Sequence, residues 1–107
     1  MTDKYIIIYS DEALNDIDSI FNYISNKLQN FVSAVRIFYL IKDKINSLNS
    51  FPERFQLATV TGKQIDNLRI MHVGKYNVYY CVNNSKLIVT VMRIIYGGAD
   101  ITKIAID

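Results

Sequence analysis

Three consecutive runs in the back half of this chain, Leu68–Val73, Tyr76–Val82 and Lys86–Ile95, most constrain what it can fold into. They are separated only by Gly74-Lys75 and by Asn83-Asn84-Ser85. Short runs rich in β-branched and aromatic residues, bounded by turn-forming residues, predict strands. Connections this brief predict a small, mainly antiparallel twisted sheet.

The front half has a different period. Tyr5–Tyr9 is an Ile-rich run short enough for one buried strand, and it stops at Ser10-Asp11-Glu12. The Ser10 hydroxyl can cap a helix there, with the two acids at the positive end of its dipole. Leu14, Ile17, Ile20, Phe21, Ile24 and Leu28 then recur every three or four residues as one apolar stripe, while Asn15, Asp16, Asp18, Ser19 and Asn22 face water. Asn30 offers a second cap before a second stripe of Phe31, Ala34, Val35, Phe38, Ile41, Ile45 and Leu48. So short a break predicts an antiparallel helical hairpin. Pro52 ends the second helix and pushes Phe51 towards an extended backbone. No period is visible from Glu53 to Asp66, which reads as an ordered surface loop. The predicted class is therefore α+β, in the order strand, helix, helix, strand, strand, strand. Ile17, Ile24, Phe38, Ile45, Val78, Tyr80 and Val91 are its expected core.

At 107 residues with half of them apolar, residues 1–107 suit a single domain. No apolar run approaches the roughly 18 residues of a membrane span, and no signal-peptide pattern opens the chain, so a cytoplasmic protein without membrane contact is expected. The single cysteine, Cys81, lies in a strand pattern and reads as a packed thiol. With one His and one Cys, zinc chemistry would rest on carboxylates, so no metal and no cofactor are expected. Residues 1–61 carry six Lys or Arg against seven Asp or Glu, net −1, and residues 62–107 carry six against three, net +3. The strand region is thus the basic part, suited either to an anionic partner or to plain solvation.

Alternation assigns the faces. Val78, Tyr80 and Val82 share one face of their strand, and Asn77, Tyr79 and Cys81 the other. Leu87, Val89, Val91, Arg93 and Ile95 oppose Ile88, Thr90, Met92 and Ile94, and apolar residues on both sides place that strand inside the sheet. Two helices can cover only one sheet face, and Arg93 is expected to project from the other, open one.

Ala13-Leu14 with Asp16-Ile17, Tyr23-Ile24, Ile45 with Leu48 and Phe51-Pro52, Leu68-Arg69, Lys75-Tyr76, Tyr80, and Met92-Arg93-Ile94 with Tyr96 and Asp100 occur in that order along nearly the whole chain. This succession resembles the RelE/ParE superfamily of toxins. The resemblance implies a bacterial type II toxin–antitoxin module, in which a cognate antitoxin holds a small growth-arresting toxin inactive. The Leu-x-x-Phe-Pro ending of the hairpin is more like the ParE branch, for which DNA gyrase is the implied target.

The alternative branch cleaves mRNA on the ribosome. Its members usually carry an arginine after the aromatic that opens the middle strand, and basic residues or a histidine late in the last strand. Here those positions are Asn77 and then Ile95, Gly97 and Gly98. Cleavage through the 2′-hydroxyl needs a base, an acid and a cation. Arg69, Arg93 and Tyr96 are the catalytic candidates that remain. A third reading is a degenerate module that binds only its antitoxin.

The expected target-binding surface is the open sheet face and its rim, comprising Arg69, Lys75, Asn77, Tyr79, Arg93 and Tyr96. Each has a plainer role open to it. Arg69 and Arg93 can pair with Asp66 or Asp100. Tyr76, Tyr79 and Tyr80 suit base stacking but also strand cores. His72 reads as a packed or edge histidine rather than a base, and Gly97-Gly98 as a strand-ending turn or a point of close approach.

Overall fold

The computed structural model describes residues 4–60 and 63–98, the side chains of 60 and 63–66 excepted. Strand β1 (Ile6–Tyr9) leads into helix α1 (Asp11–Asn22), which ends in a π-helical turn at Tyr23–Lys27. Helix α2 (Phe31–Asn46) follows, then two short 3-10 turns at Ser47–Asn49 and Pro52–Arg54. Strands β2 (Leu57–Val60), β3 (Lys63–Val73), β4 (Tyr76–Asn83) and β5 (Ile88–Tyr96) complete the described order.

Both predicted caps form. Ser10 Oγ accepts from the Ala13 amide at 3.0 Å, and Asn30 Oδ1 from the Ser33 amide at 3.0 Å. Ser10 also donates its hydroxyl hydrogen to the Met92 carbonyl, which fixes the start of α1 against β5. Helix α2 folds back along α1, with Phe21 packed edge-on against both Phe31 and Phe38.

The sheet has the order β1-β5-β4-β3-β2, with β1 parallel to β5 and the remaining pairs antiparallel. Strand β5 is paired on both sides, as its two apolar faces require. Gly74, at φ +56°, turns β3 into β4 within two residues, a backbone region glycine enters at no steric cost. The helices and one sheet face enclose the main core, which holds Ala13, Ile17, Ile41, Ile45, Met71, Val78, Tyr80, Val89, Val91 and Ile94. The opposite face carries a second, smaller cluster of Ala58, Leu68, Tyr79 and Ile95.

Several expectations need correction. The segment read as a loop contains β2 and the start of β3, paired antiparallel with each other. Strand β2 is only four residues long, too short to show a period, and its register with β3 shifts between Leu57 and Thr59. Leu87 is not in β5, because it sits at φ +56° in the turn before it. Phe51 is not extended but left-handed, at φ +49° and ψ +54°. Proline excludes the right-handed helical region for the residue before it, and the chain reverses here through the left-handed one instead.

Of the expected core, Ile17, Ile24, Ile45, Val78, Tyr80 and Val91 are buried, whereas Phe38 is only partly so. Leu14, Leu28 and Phe31, at the margins of the two stripes, are exposed. Phe38→Ala is consequently expected to lower stability by about 2 kcal/mol, below the range for a fully buried Phe. Urea unfolding of the variant beside wild type measures it.

Candidate functional site

The site residues expected on one open surface are divided by the fold. Arg93 reaches helix α1 rather than projecting from an open face, and β5 carries a bulge beside it: Tyr79 and Tyr80 of β4 are adjacent, yet their partners are Arg93 and Val91. The extra residue, Met92, reverses the alternation beyond it. Val91 and Ile94 therefore share the helix-facing core, while Met92 and Ile95 join the opposite cluster.

Arg93 meets Asp16, which the helical period had placed in water. Its Nε donates to Asp16 Oδ2 at 2.8 Å and its Nη2 to Oδ1 at 2.9 Å, a two-point match of guanidinium and carboxylate. Asp16 Oδ2 also accepts the Ile94 amide at 2.9 Å. The side chains are 19% and 15% exposed. Donating hydrogen bonds to the Asp16 carboxylate raises the Arg93 pKa against the opposing effect of burial. This carboxylate joins the second turn of α1 to the bulge, and a polar residue on a helix wheel gave no sign of it.

Arg69 stands opposite Tyr80, so it too lies on the helix-facing side. Its Nη1 donates to the Phe55 carbonyl at 2.6 Å and the Glu53 carbonyl at 3.2 Å, and its Nη2 lies 3.5 Å from Glu53 Oε2. Among the described residues, the acidic partners of the two arginines are thus Glu53 and Asp16. The side chain of Asp66, and Asp100 altogether, lie outside the described residues.

Tyr96 is 54% exposed and packs edge-on against Tyr76 with 6.0 Å between ring centres. Burial, and then the neighbouring Tyr96 and Tyr23, raise the Tyr76 phenol pKa. Tyr79 is only 5% exposed, within the second apolar cluster. Tyr80 is wholly buried and donates to the Pro52 carbonyl at 2.6 Å. Two of the three tyrosines read as a stacking platform are therefore core residues, and Tyr76 is half-buried.

Lys75 is exposed on the β3–β4 turn, and its carbonyl accepts the Gly97 amide at 2.8 Å. A side chain at Gly97 would meet that carbonyl oxygen at 3.2 Å, so internal close approach already accounts for the glycine. Asn77 points away from the helices, with Oδ1 2.7 Å from His72 Nδ1. The His72 ring itself is exposed. Cys81 is a free thiol packed beside the second apolar cluster, and burial raises its pKa. Among the described residues no three His, Cys, Asp or Glu side chains are grouped to hold a metal.

Residues 7–101 match the model of the family described as ParE toxin of type II toxin-antitoxin system, parDE. The chain belongs to the ParE toxin family. Solved structures share its fold at low identity. The chromosomal ParDE toxin–antitoxin system from P. aeruginosa matches at a TM-score of 0.70 and 13% identity, over 87% of this chain and 96% of that one. The toxin–antitoxin complex RelBE2 from Mycobacterium tuberculosis matches at 0.64 and 14%, over 87% and 91%. An arginine-to-alanine double variant of E. coli toxin RelE in the free state matches at 0.60 and 14%, over 95% and 99%. No curated protein matches significantly in sequence. ParE-family membership and the two helices on a mixed five-stranded sheet agree with the resemblance carried by Ala13-Leu14 through Met92-Arg93-Ile94. No described helix of this ParE-family chain is long and apolar enough to cross a membrane.

Proposed function

We propose that this ParE-family toxin arrests growth in the cytoplasm as a single domain, by binding DNA gyrase, and that a cognate antitoxin neutralises it. The observation that supports binding over RNA cleavage is the employment of its two site arginines. Phosphodiester chemistry needs a cation free to meet developing negative charge. The two terminal nitrogens of Arg69 are spent on two carbonyls and Glu53, and Arg93 is matched to Asp16. Asn77, on the open face with His72, holds the position where the ribosome-dependent relatives carry an arginine. Arg69 and Tyr96 stand opposite the core-facing Tyr80 and Tyr76, and Arg93 is drawn onto α1 by Asp16, while Asn77 and Tyr79 are on the other face.

The antitoxin reading draws on the helical hairpin. Leu28, Phe31, Val32, Tyr39 and Leu40 are exposed there, with Lys27 and Arg36 among them. An amphipathic helix with acidic flanks would cover such a surface. The structural neighbours include the toxin–antitoxin complex RelBE2 and the ParDE system.

Induction of the toxin alone tests the target. Gyrase poisoning predicts DNA-damage signalling while translation continues. Prompt loss of protein synthesis with messages cleaved on ribosomes would overturn it. Asn77→Arg extends the test, since a binding toxin gains no cleavage from the added cation.

A further inference from the structure

We infer that Phe51 is a preorganised aromatic anchor by which the toxin grips an apolar pocket on its protein target, an inference that rests on the binding reading above. Phe51 is 66% exposed and holds a left-handed backbone immediately before a buried proline. A side chain with a Cβ resists that region, which glycine and asparagine enter readily. For a segment that only had to turn, Phe is a poor choice twice over, since its backbone is strained and its ring gains little burial.

The backbone beneath the ring is held by side chains from three directions. Arg54 Nη1 donates to the Ser50 carbonyl at 2.8 Å and the Phe51 carbonyl at 3.1 Å. The Tyr80 hydroxyl reaches the Pro52 carbonyl from inside the core at 2.6 Å. Arg69 Nη1 takes the Glu53 carbonyl at 3.2 Å. Four consecutive carbonyls are thus each bound by a side chain, and the strained turn has little freedom left. A rigid, exposed aromatic loses little on binding, the property that makes such residues dominate interfaces.

Charge selects the kind of partner. Arg54 and Arg69, the guanidiniums at this segment, are turned inward onto carbonyls, and the acid beside them, Glu53, is half-exposed. That favours an apolar protein pocket over a nucleobase flanked by phosphates or an anionic membrane. Phe51 lies beyond the end of α2, outside the exposed hairpin surface offered to the antitoxin: Phe31 and Val32 open the helix about 24 Å away, and Leu40, the nearest of that surface, is six helical residues, about 9 Å, short of its end.

The test compares wild type, Phe51→Asn and Phe51→Tyr. Asparagine suits the left-handed backbone, so the Tm of Phe51→Asn should hold or rise. Growth arrest on induction, and capture of purified gyrase by immobilised toxin, should each fall about tenfold or more, as for the loss of a hot-spot aromatic. Co-purification with the antitoxin should be unchanged, and Phe51→Tyr should retain every activity. Undiminished growth arrest by Phe51→Asn, a fall in its Tm, or loss of antitoxin binding would overturn the anchor, as would a wild-type dimer that this variant dissociates. If wild type arrests growth without binding gyrase and Phe51→Asn still loses arrest, the gyrase reading fails and the anchor stands.

Discussion

Asp16→Ala is expected to lower the unfolding free energy by about 2–4 kcal/mol, somewhat below the 3–5 kcal/mol typical of a fully buried pair that loses one partner. The Arg93 and Asp16 side chains are largely but not fully out of water, which sets the discount. Asp16 is the acceptor for two guanidinium nitrogens and for the Ile94 amide. Its removal leaves a charge and a main-chain donor poorly solvated at the bulge. Arg93→Ala should be destabilising for the same reason, so its effect on growth arrest reports on the fold as well as on any target. That reverses what a solvent-facing arginine would predict. A double-mutant cycle over Asp16→Ala and Arg93→Ala should return a coupling of about 1–3 kcal/mol. Chemical denaturation of the four proteins measures it, and a loss below roughly 0.5 kcal/mol for Asp16→Ala would show the pair to be ornamental.

Tyr80→Ala should be more damaging, at about 4–5 kcal/mol, because the ring fills the main core with no measurable exposure and its hydroxyl holds the Pro52 carbonyl. Tyr80→Phe separates the two contributions. It keeps the packing and leaves a buried carbonyl unbonded, for an expected loss of about 1–3 kcal/mol. The same hydroxyl gives the fold an alkaline limit. Burial pushes the Tyr80 phenol from 10.0 up to about 12, with Arg69 and Arg54 pulling it partly back. A group whose native pKa exceeds its unfolded value is bound to more protons in the native state between the two. Its contribution is therefore complete below pH 10 and lost as the pH rises towards 12. Thermal melts across that interval should show a steeper decline for wild type than for Tyr80→Phe. Parallel declines would mean that Tyr80 does not govern the alkaline transition.

Local order decided what could be read without coordinates. Ser10 and Asn30 cap their helices because a short side-chain oxygen reaches an amide three residues on, whatever surrounds it. The stripes through Ile17, Ile24, Ile41, Ile45 and Leu48, and the alternation of Val78, Tyr80 and Val82, are equally local and end in the core. The ordered pieces from Ala13-Leu14 to Met92-Arg93-Ile94 were enough to point to the toxin family.

Pairing decided the rest. Strand β2 exists through its bonds to β3, and its four residues are too few to announce it by a period. The Met92 bulge shifted the core alternation of β5 from Val91 to Ile94, and no alternation count reveals an extra residue, since a bulge exists only relative to its partner strand. Asp16 became the partner of that arginine from 77 residues away, at a position the helix wheel assigns to water. The four carbonyls under Phe51 are held by residues from two strands and a 3-10 turn, an arrangement formed when the chain packs. By itself the sequence determined which elements form and which stripe of each is apolar, because those depend on neighbours within a few residues. Only tertiary structure decided which side chains meet and which cations remain for a partner, because those depend on strand register and on contacts between residues far apart in the chain.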